Sequence, residues 1–98
     1  MKSRKKIAVE NVNVPGSSTD VDYEKYQAMK EAFLKVLPQN SPGATQKQLF
    51  AEVVRYLPDD LFPGGKTSGW WVKTVQLDLE AKGIVVREQS KPLRWHHK

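Results

Sequence analysis

The apolar positions between residues 21 and 37 recur at the spacing of a single helix face. Intervals of three and four residues place these side chains on one stripe: Tyr26, Met29, Phe33, Val36 and Leu37. Asp20 or Asp22 can cap the start of this helix, and Pro38 ends it because proline cannot continue the hydrogen-bond ladder. The pattern therefore predicts a first helix that runs to about Leu37 and buries the stripe.

A second helix is predicted after the turn signal Pro42-Gly43. Thr45 and Gln48 have the spacing of a capping box, in which each side chain bonds a backbone N–H at the start of the helix. The side chains that the spacing turns inward are Leu49, Val53, Tyr56 and Leu57. Pro58 ends this helix.

The stretch from Pro58 to Ser68 separates the second helix from the third. It is longer than the turn of about three or four residues that joins the helices of a helix-turn-helix. We expect an extra turn from Asp59 to Phe62, with Leu61 and Phe62 entering the core. This length is a departure from the usual DNA-binding pattern.

A third helix begins near Gly69, and its apolar residues fall on two sides. The residues of its predicted core face are Val72, Val75 and Leu79, with Trp71 at the edge. On the opposite side lie Trp70, Leu77 and Ala81. A helix that is apolar on two sides is usually buried on two sides.

The chain after the third helix predicts two strands around a turn. Gly83 stands where a left-handed C-terminal cap is expected. Residues 84–86 are β-branched and predict a strand, whereas the polar residues 88–91 predict a turn. A return strand through Leu93 and Trp95 completes a small hairpin.

These stretches resemble known families. LEAKGIVVRE resembles the end of the recognition helix and the first wing strand of the winged helix-turn-helix superfamily. More narrowly, WWVKTVQLDLEAKG and KPLRWH resemble a family of short, mostly bacterial proteins of unknown function. The resemblance implies an α+β fold of three helices and a small antiparallel β-hairpin wing, in a domain of residues 21–98. It also implies a small DNA-binding protein of the transcription-regulator type.

Residues 1–20 are predicted to form an extended N-terminal arm. Its apolar residues have irregular spacing: Ile7, Val9, Val12 and Val14. Pro15-Gly16 then breaks the chain. A short edge strand or an extended segment laid on the domain fits this pattern, and the apolar residues are expected to cover something.

The net charge of +5 is concentrated at the two ends of the chain. Residues 1–6 contain four cations, at Lys2, Arg4, Lys5 and Lys6. Residues 82–98 contain five cations against Glu88, which gives +4, so the rest of the chain has a net charge of −3. An acidic body with two basic ends is expected to meet a polyanion through the arm and the wing.

Double-stranded DNA is accordingly the first partner hypothesis. The side chains predicted to contact it are Lys66, Lys73, Thr74, Gln76, Arg87, Lys91 and Arg94. Those on the wing reach phosphates, and those on the third helix offer limited base contact. Asp78 and Glu80 are expected to repel the DNA backbone. The plain alternative is a solvated hairpin with ordinary surface charges.

The second hypothesis is a protein-interaction module without nucleic acid binding. Its contact surface would be the second apolar side of the third helix, formed by Trp70, Leu77 and Ala81. The arm, a second subunit in a homodimer or a foreign protein can each cover this side. The sequence leaves these three alternatives open.

Enzyme chemistry has no positive support in the sequence. The chain has no cysteine, and no nucleophile is paired with a base. Gly64-Gly65-Lys66-Thr67 lacks the first glycine of a phosphate-binding loop, so Lys66 is expected to hold one phosphate at most. His96 and His97 are adjacent and point apart in a strand, so we expect a solvated tail. No catalytic, metal or cofactor site is predicted.

The membrane and location predictions follow from the absence of long apolar runs. A membrane-spanning helix needs roughly 20 mostly apolar residues, and no run approaches that length. The first residues have no apolar segment of the kind found in a secretory signal. We therefore expect no membrane partner and a cytoplasmic location.

Overall fold

The computed structural model describes residues 5–98, so the predicted arm cations Lys2 and Arg4 lie outside the described residues. The described part has an α+β fold with three α-helices and two small antiparallel sheets. The elements are β1 (Lys6–Glu10), β2 (Ser18–Asp22), α1 (Tyr23–Val36), β3 (Ala44–Thr45), α2 (Gln46–Val53), α3 (Ser68–Ala81), β4 (Val85–Glu88) and β5 (Arg94–His97).

The amino-terminal segment is a β-hairpin, where the sequence predicted an extended arm. β1 pairs antiparallel with β2. Gly16 occupies the left-handed region with φ 87° in the turn between them. Val9 and Val21 point into the main hydrophobic core, whereas Val14 is exposed. The apolar residues of the hairpin therefore cover part of the domain, and β2 leads directly into α1.

Helix α1 forms where the apolar stripe predicts it. Asp22 is the cap, and its carboxylate accepts a hydrogen bond from the backbone N–H of Lys25 at 3.0 Å. The buried side chains of the stripe are Tyr26, Met29, Ala32, Phe33 and Leu37. The helix ends at Val36, two residues before Pro38, whose ring cannot continue the helix.

Helix α2 begins with the predicted capping box, but the orientation predicted for Tyr56 is wrong. Thr45 Oγ1 accepts from the N–H of Gln48, and Gln48 Oε1 accepts from the N–H of Thr45. The α-helix ends at Val53, and residues 54–56 form a tighter 3₁₀ turn. Tyr56, in this turn, is 46% exposed, and its ring lies under Lys35 Nζ at 4.9 Å.

The long connection between α2 and α3 folds back onto the core. The backbone N–H groups of Leu61 and Phe62 both donate to the carbonyl of Pro58, which forms the predicted extra turn. Phe62 is buried, and its ring meets Trp71 edge to face at 6.3 Å. A second short turn at residues 63–65 then leads into α3.

Helix α3 ends at the predicted glycine cap. Gly83 has φ 73°, in the left-handed region. The N–H of Ile84 donates to the carbonyl of Leu79, and the N–H of Gly83 donates to the carbonyl of Glu80. These two bonds are those of a Schellman motif. The prediction of a left-handed cap at Gly83 is confirmed.

The second sheet joins the β4–β5 hairpin to β3, in the order β3-β5-β4. Trp95 of β5 is buried, whereas Leu93, from the same predicted return strand, is exposed. The prediction that the two histidines form a solvated tail is wrong. The His97 ring contacts the carbonyl of Leu34 at 2.9 Å, and the His96 ring contacts Glu88 at 2.7 Å, so both help hold β5 in place.

Candidate nucleic-acid interface

A buried carboxylate joins α3 to the β1–β2 hairpin. Asp78 Oδ1 accepts a hydrogen bond from the backbone N–H of Glu10 at 2.9 Å. The hydroxyl of Tyr26 donates to the same carboxylate, and Lys82 Nζ lies 2.8 Å from it. Burial, followed by this bond to a carboxylate, raises the pKa of Tyr26 well above its usual range. Asp78 is therefore an internal anchor, although the sequence led us to expect a surface charge that repels DNA.

A second ion pair joins α3 to β4. Arg87 Nε and Nη2 donate to the two carboxylate oxygens of Glu80 at 2.7 and 3.0 Å. The Glu80 side chain is 5% exposed, so its charge is neutralised within the fold. Gln76 donates to Glu80 at 3.4 Å and is itself buried. Arg87 and Gln76, which we predicted for DNA contacts, are thus committed to contacts inside the protein.

Arg94 is also held within the fold. Its Nη1 donates to the carbonyl of Gly43 at 3.0 Å, and the side chain is half-buried. Gly43 is tightly packed, because a Cβ built there would lie 2.2 Å from the carbonyl oxygen of Trp95. Arg94 therefore ties β5 to the loop that precedes β3, and its side chain is not a free surface cation.

Three of the predicted DNA-contacting lysines are exposed. Lys66 lies just before α3, Lys73 lies in its first half, and Lys91 lies in the turn between β4 and β5. Within residues 5–98 no hydrogen bond or ion pair is formed by these three ammonium groups. Thr74 is half-buried and lines a cavity of about 170 Å³ between α3 and the β1–β2 hairpin. The cations remain accessible, whereas the predicted base-reading side chains are largely covered.

The β1–β2 hairpin lies beside the second apolar side of α3. Leu77 is half-buried and lines the 170 Å³ cavity together with Val9 and Val21. Ala81 is exposed and lines a second cavity, of about 230 Å³, with the turn of the hairpin. Trp70 is 56% exposed even with the hairpin in place. The hairpin therefore flanks this side without covering Trp70.

Phe50 is a surface residue that the sequence analysis missed. It is 41% exposed, and a methyl group built at Gly69 would lie 3.6 Å from its Cζ atom. The ring thus reaches from α2 onto the start of α3. Its position in the apolar pattern of α2 could have indicated an exposed aromatic, because Phe50 falls one residue off the inward stripe.

Neither a metal-binding cluster nor a membrane-spanning helix is formed within residues 5–98. Among residues 5–98, no three histidine, aspartate or glutamate side chains lie close enough together to hold a metal ion. None of the helices in the same range combines the length and the apolar character that a membrane span requires.

Comparison with known proteins gives a family but no relative of known activity. No curated protein matches the chain. No solved structure matches it either. The model of a family of unknown function, DUF6958, matches residues 6–95. Because this match spans nearly the whole sequence, from β1 into β5, the chain belongs to the DUF6958 family.

Proposed function

We propose that the chain is a small winged helix protein that binds double-stranded DNA through the phosphate backbone, in the manner of a small transcription regulator. The order of elements from α1 onward supports the winged helix: helix, strand, helix, helix, strand, strand. The β4–β5 hairpin follows the third helix, as a wing does, and β3 joins it as a third strand. The turn between β4 and β5, which contains Lys91, takes the place of the wing tip.

The observation that carries the proposal is the pairing of both carboxylates of α3 inside the protein. Asp78 is satisfied by the hairpin and Lys82, and Glu80 is satisfied by Arg87. In α3, which the structure describes in full, the exposed charge that remains is Lys73. Lys66 adds a second cation at the same end of the helix. With the carboxylates of α3 paired, Lys66 and Lys73 are the exposed charges at this end of the helix, which favours a polyanion.

The proposed mode of binding is mainly sequence-independent. Lysine side chains reach phosphates and fix the position of a protein on DNA without reading bases. Gln76 is buried, and Thr74 lies against the hairpin, so neither presents a polar group freely to a base edge. We therefore expect non-specific affinities, which typically correspond to Kd values of about 10⁻⁴–10⁻⁶ M at physiological salt.

Charge reversal tests the proposal directly. The double variant Lys66→Glu with Lys73→Glu should lose most of its affinity for a labelled blunt duplex, measured by fluorescence anisotropy at low salt. Lys35→Glu with Lys47→Glu is the matched control, because it reverses the same number of exposed lysines, on α1 and α2. Equal loss in the control and the double variant, or undetectable binding by the parent protein, would overturn the proposal.

A protein-interaction module is the second candidate, and the exposure of Trp70 favours it. Large aromatic side chains often anchor protein interfaces. The simplest partner is a second copy of the chain, in contact through Trp70, Leu77 and Ala81. Sedimentation velocity distinguishes this candidate: a dimer that Trp70→Ala converts to a monomer would support it, and a parent protein that sediments as a monomer at high concentration would contradict self-association.

A further inference from the structure

Two exposed aromatic rings lie beside the cationic start of α3. Trp70 is 56% exposed and Phe50 is 41% exposed. A Cβ built at Gly69 would lie 3.6 Å from the Phe50 ring, and Trp70 is the next residue along. Residues Gly69 and Trp70 are about 100° apart around the helix axis, and Lys73 projects between them one turn later. We call the surface formed by Phe50, Lys66, Trp70 and Lys73 the aromatic–lysine surface.

The Trp70 ring packs against the ring of its neighbour Trp71. It meets the buried ring of Trp71 edge to face, with centroids 5.0 Å apart and planes at 82°. Trp71 in turn meets buried Phe62 edge to face. A ring that packs on a neighbour has less conformational freedom to lose when a ligand stacks on it, which favours binding.

The 170 Å³ cavity opens beside the same ring. Its walls are apolar at Val9, Val21 and Leu77, and Thr19 and Thr74 add hydroxyl groups. Glu10 also lines it, so a phosphate is disfavoured on that side and favoured on the side of Lys73. The surroundings of Trp70 thus suit a flat group that is partly apolar and carries hydrogen-bonding edges, attached to a phosphate.

We infer that the aromatic–lysine surface binds unpaired bases of a nucleic acid strand, with Trp70 stacking on a base and Lys66 and Lys73 holding the adjacent phosphates. This inference rests on the proposed function and names its preferred substrate. In a blunt duplex both faces of each internal base are covered by neighbouring bases, so an aromatic ring stacks only on unpaired or terminal ones. Aromatic rings interleaved with cations are the usual platform for single strands. A purely apolar partner surface would leave both lysines without a counter-charge.

Tyr56 is also strongly exposed, but its ring differs from that of Trp70 because it contacts a cation. Tyr56 is 46% exposed, but Lys35 Nζ lies over its ring at 4.9 Å. One face of the Tyr56 ring is therefore occupied by the Lys35 ammonium group. Among the described residues, no cation lies over the Trp70 ring. Tyr56→Ala is accordingly a matched control for Trp70→Ala.

The experiment uses the full chain and three labelled probes at about 50 mM salt: a single strand of about 12 nucleotides, the same strand as a blunt duplex, and a duplex with an unpaired end. We expect the single strand and the unpaired end to bind more tightly than the blunt duplex. Trp70→Ala should weaken single-strand binding about 5- to 150-fold, the range for loss of one stacked base. Trp70→Phe should retain most of the affinity, and Tyr56→Ala should match the parent.

Each outcome separates this inference from the proposed function. Duplex binding with no preference for the single strand, or with no effect of Trp70→Ala and Trp70→Phe, would overturn the inference and leave the proposed function standing. Absence of binding to every probe would overturn both. If Trp70→Ala instead abolishes a dimer and leaves single-strand affinity unchanged, the ring belongs to a protein contact and the inference is wrong. Circular dichroism of each variant verifies that it is folded.

Discussion

The backbone amide of Glu10 donates a hydrogen bond of 2.9 Å to the buried carboxylate of Asp78, 68 residues later in the chain. This bond fastens the β1–β2 hairpin to α3. The Asp78 carboxylate also accepts from the hydroxyl of Tyr26 in α1, so three elements converge on one side chain. The position of the hairpin, and with it the cavity beside Trp70, depends on this carboxylate.

Asp78→Ala should be strongly destabilising. The change leaves the Tyr26 hydroxyl and the Glu10 amide without their acceptor, and each unsatisfied buried donor costs about 1–3 kcal/mol. We therefore expect a loss of about 2–6 kcal/mol in the free energy of unfolding, measured by urea denaturation. Tyr26→Phe removes one donor to a charged group and should cost about 1.5–3 kcal/mol.

Asp20→Ala provides the control for this prediction. It removes the same carboxylate from an exposed position of β2, where a surface change should alter stability by less than about 0.5 kcal/mol. Equal stabilities for the Asp78 and Asp20 variants would show that the buried carboxylate is not an anchor.

Gly83→Val should destabilise the protein through backbone strain alone. Nothing lies within 4 Å of a Cβ built at Gly83, so steric clash contributes little. A residue with a side chain is destabilised by about 1–2 kcal/mol at the left-handed φ of 73°. Gly83→Asn should lose less, because asparagine tolerates this conformation. Equal losses for valine and asparagine would contradict the account.

The adjacent residues Trp70 and Trp71 should respond differently to truncation. Trp71 is 6% exposed and packs on Phe62, so Trp71→Ala should cost about 3–5 kcal/mol. Trp70 is mostly exposed, and Trp70→Ala should cost far less in thermal or chemical unfolding. Similar costs for the two variants would mean that Trp70 is structurally buried and unavailable to a ligand.

The pair formed by His96 and Glu88 predicts a pH dependence of stability. The Glu88 carboxylate, and next the carbonyl of His97, raise the pKa of His96, since both neighbours are acceptors and only the imidazolium donates to both. The same bond, followed by one with Ser41, lowers the pKa of Glu88. His96 therefore stabilises the fold below its unfolded pKa of about 6.5, and this contribution is lost as the pH rises through the higher folded value. Glu88 contributes above its unfolded pKa of about 4.3, and this is lost as the pH falls through the lower folded value.

Glu88→Gln separates this effect from other titrations. The parent should lose more stability than Glu88→Gln as the pH rises from the unfolded pKa of His96, about 6.5, through its higher folded pKa. The measurement is the midpoint of urea unfolding at each pH. If the stabilities of the two proteins change in parallel with pH, the His96–Glu88 pair is not the cause of the pH dependence.

The features that could be predicted from the sequence are those decided by neighbouring residues. Gly83, the Thr45 capping box and the contrast between Trp70 and Trp71 each depend on residues within about one helical turn, so spacing alone identifies them. The exposure of Tyr56 was missed because the α-helical spacing was extended to Pro58, whereas the α-helix ends at Val53.

The candidate site was less predictable, because its charges are decided by distant partners. Lys66, Lys73 and Lys91 are exposed, as lysine side chains usually are. Arg87 reaches back seven residues to Glu80, and Asp78 meets an amide 68 residues away. No local pattern distinguishes a cation that is paired inside the fold from one that is free outside it.

The salt dependence of duplex affinity tests the central claim of DNA binding most directly. If Lys66, Lys73 and Lys91 each neutralise a phosphate, counterion release gives a slope of log K against log salt of about −3, and contacts from the amino-terminal cations would make it steeper. We predict measurable duplex binding at about 50 mM salt that weakens with this slope, and a shallower slope for the Lys66→Glu, Lys73→Glu variant. No binding at low salt, or an affinity that does not change with salt, would contradict a function based on phosphate contacts.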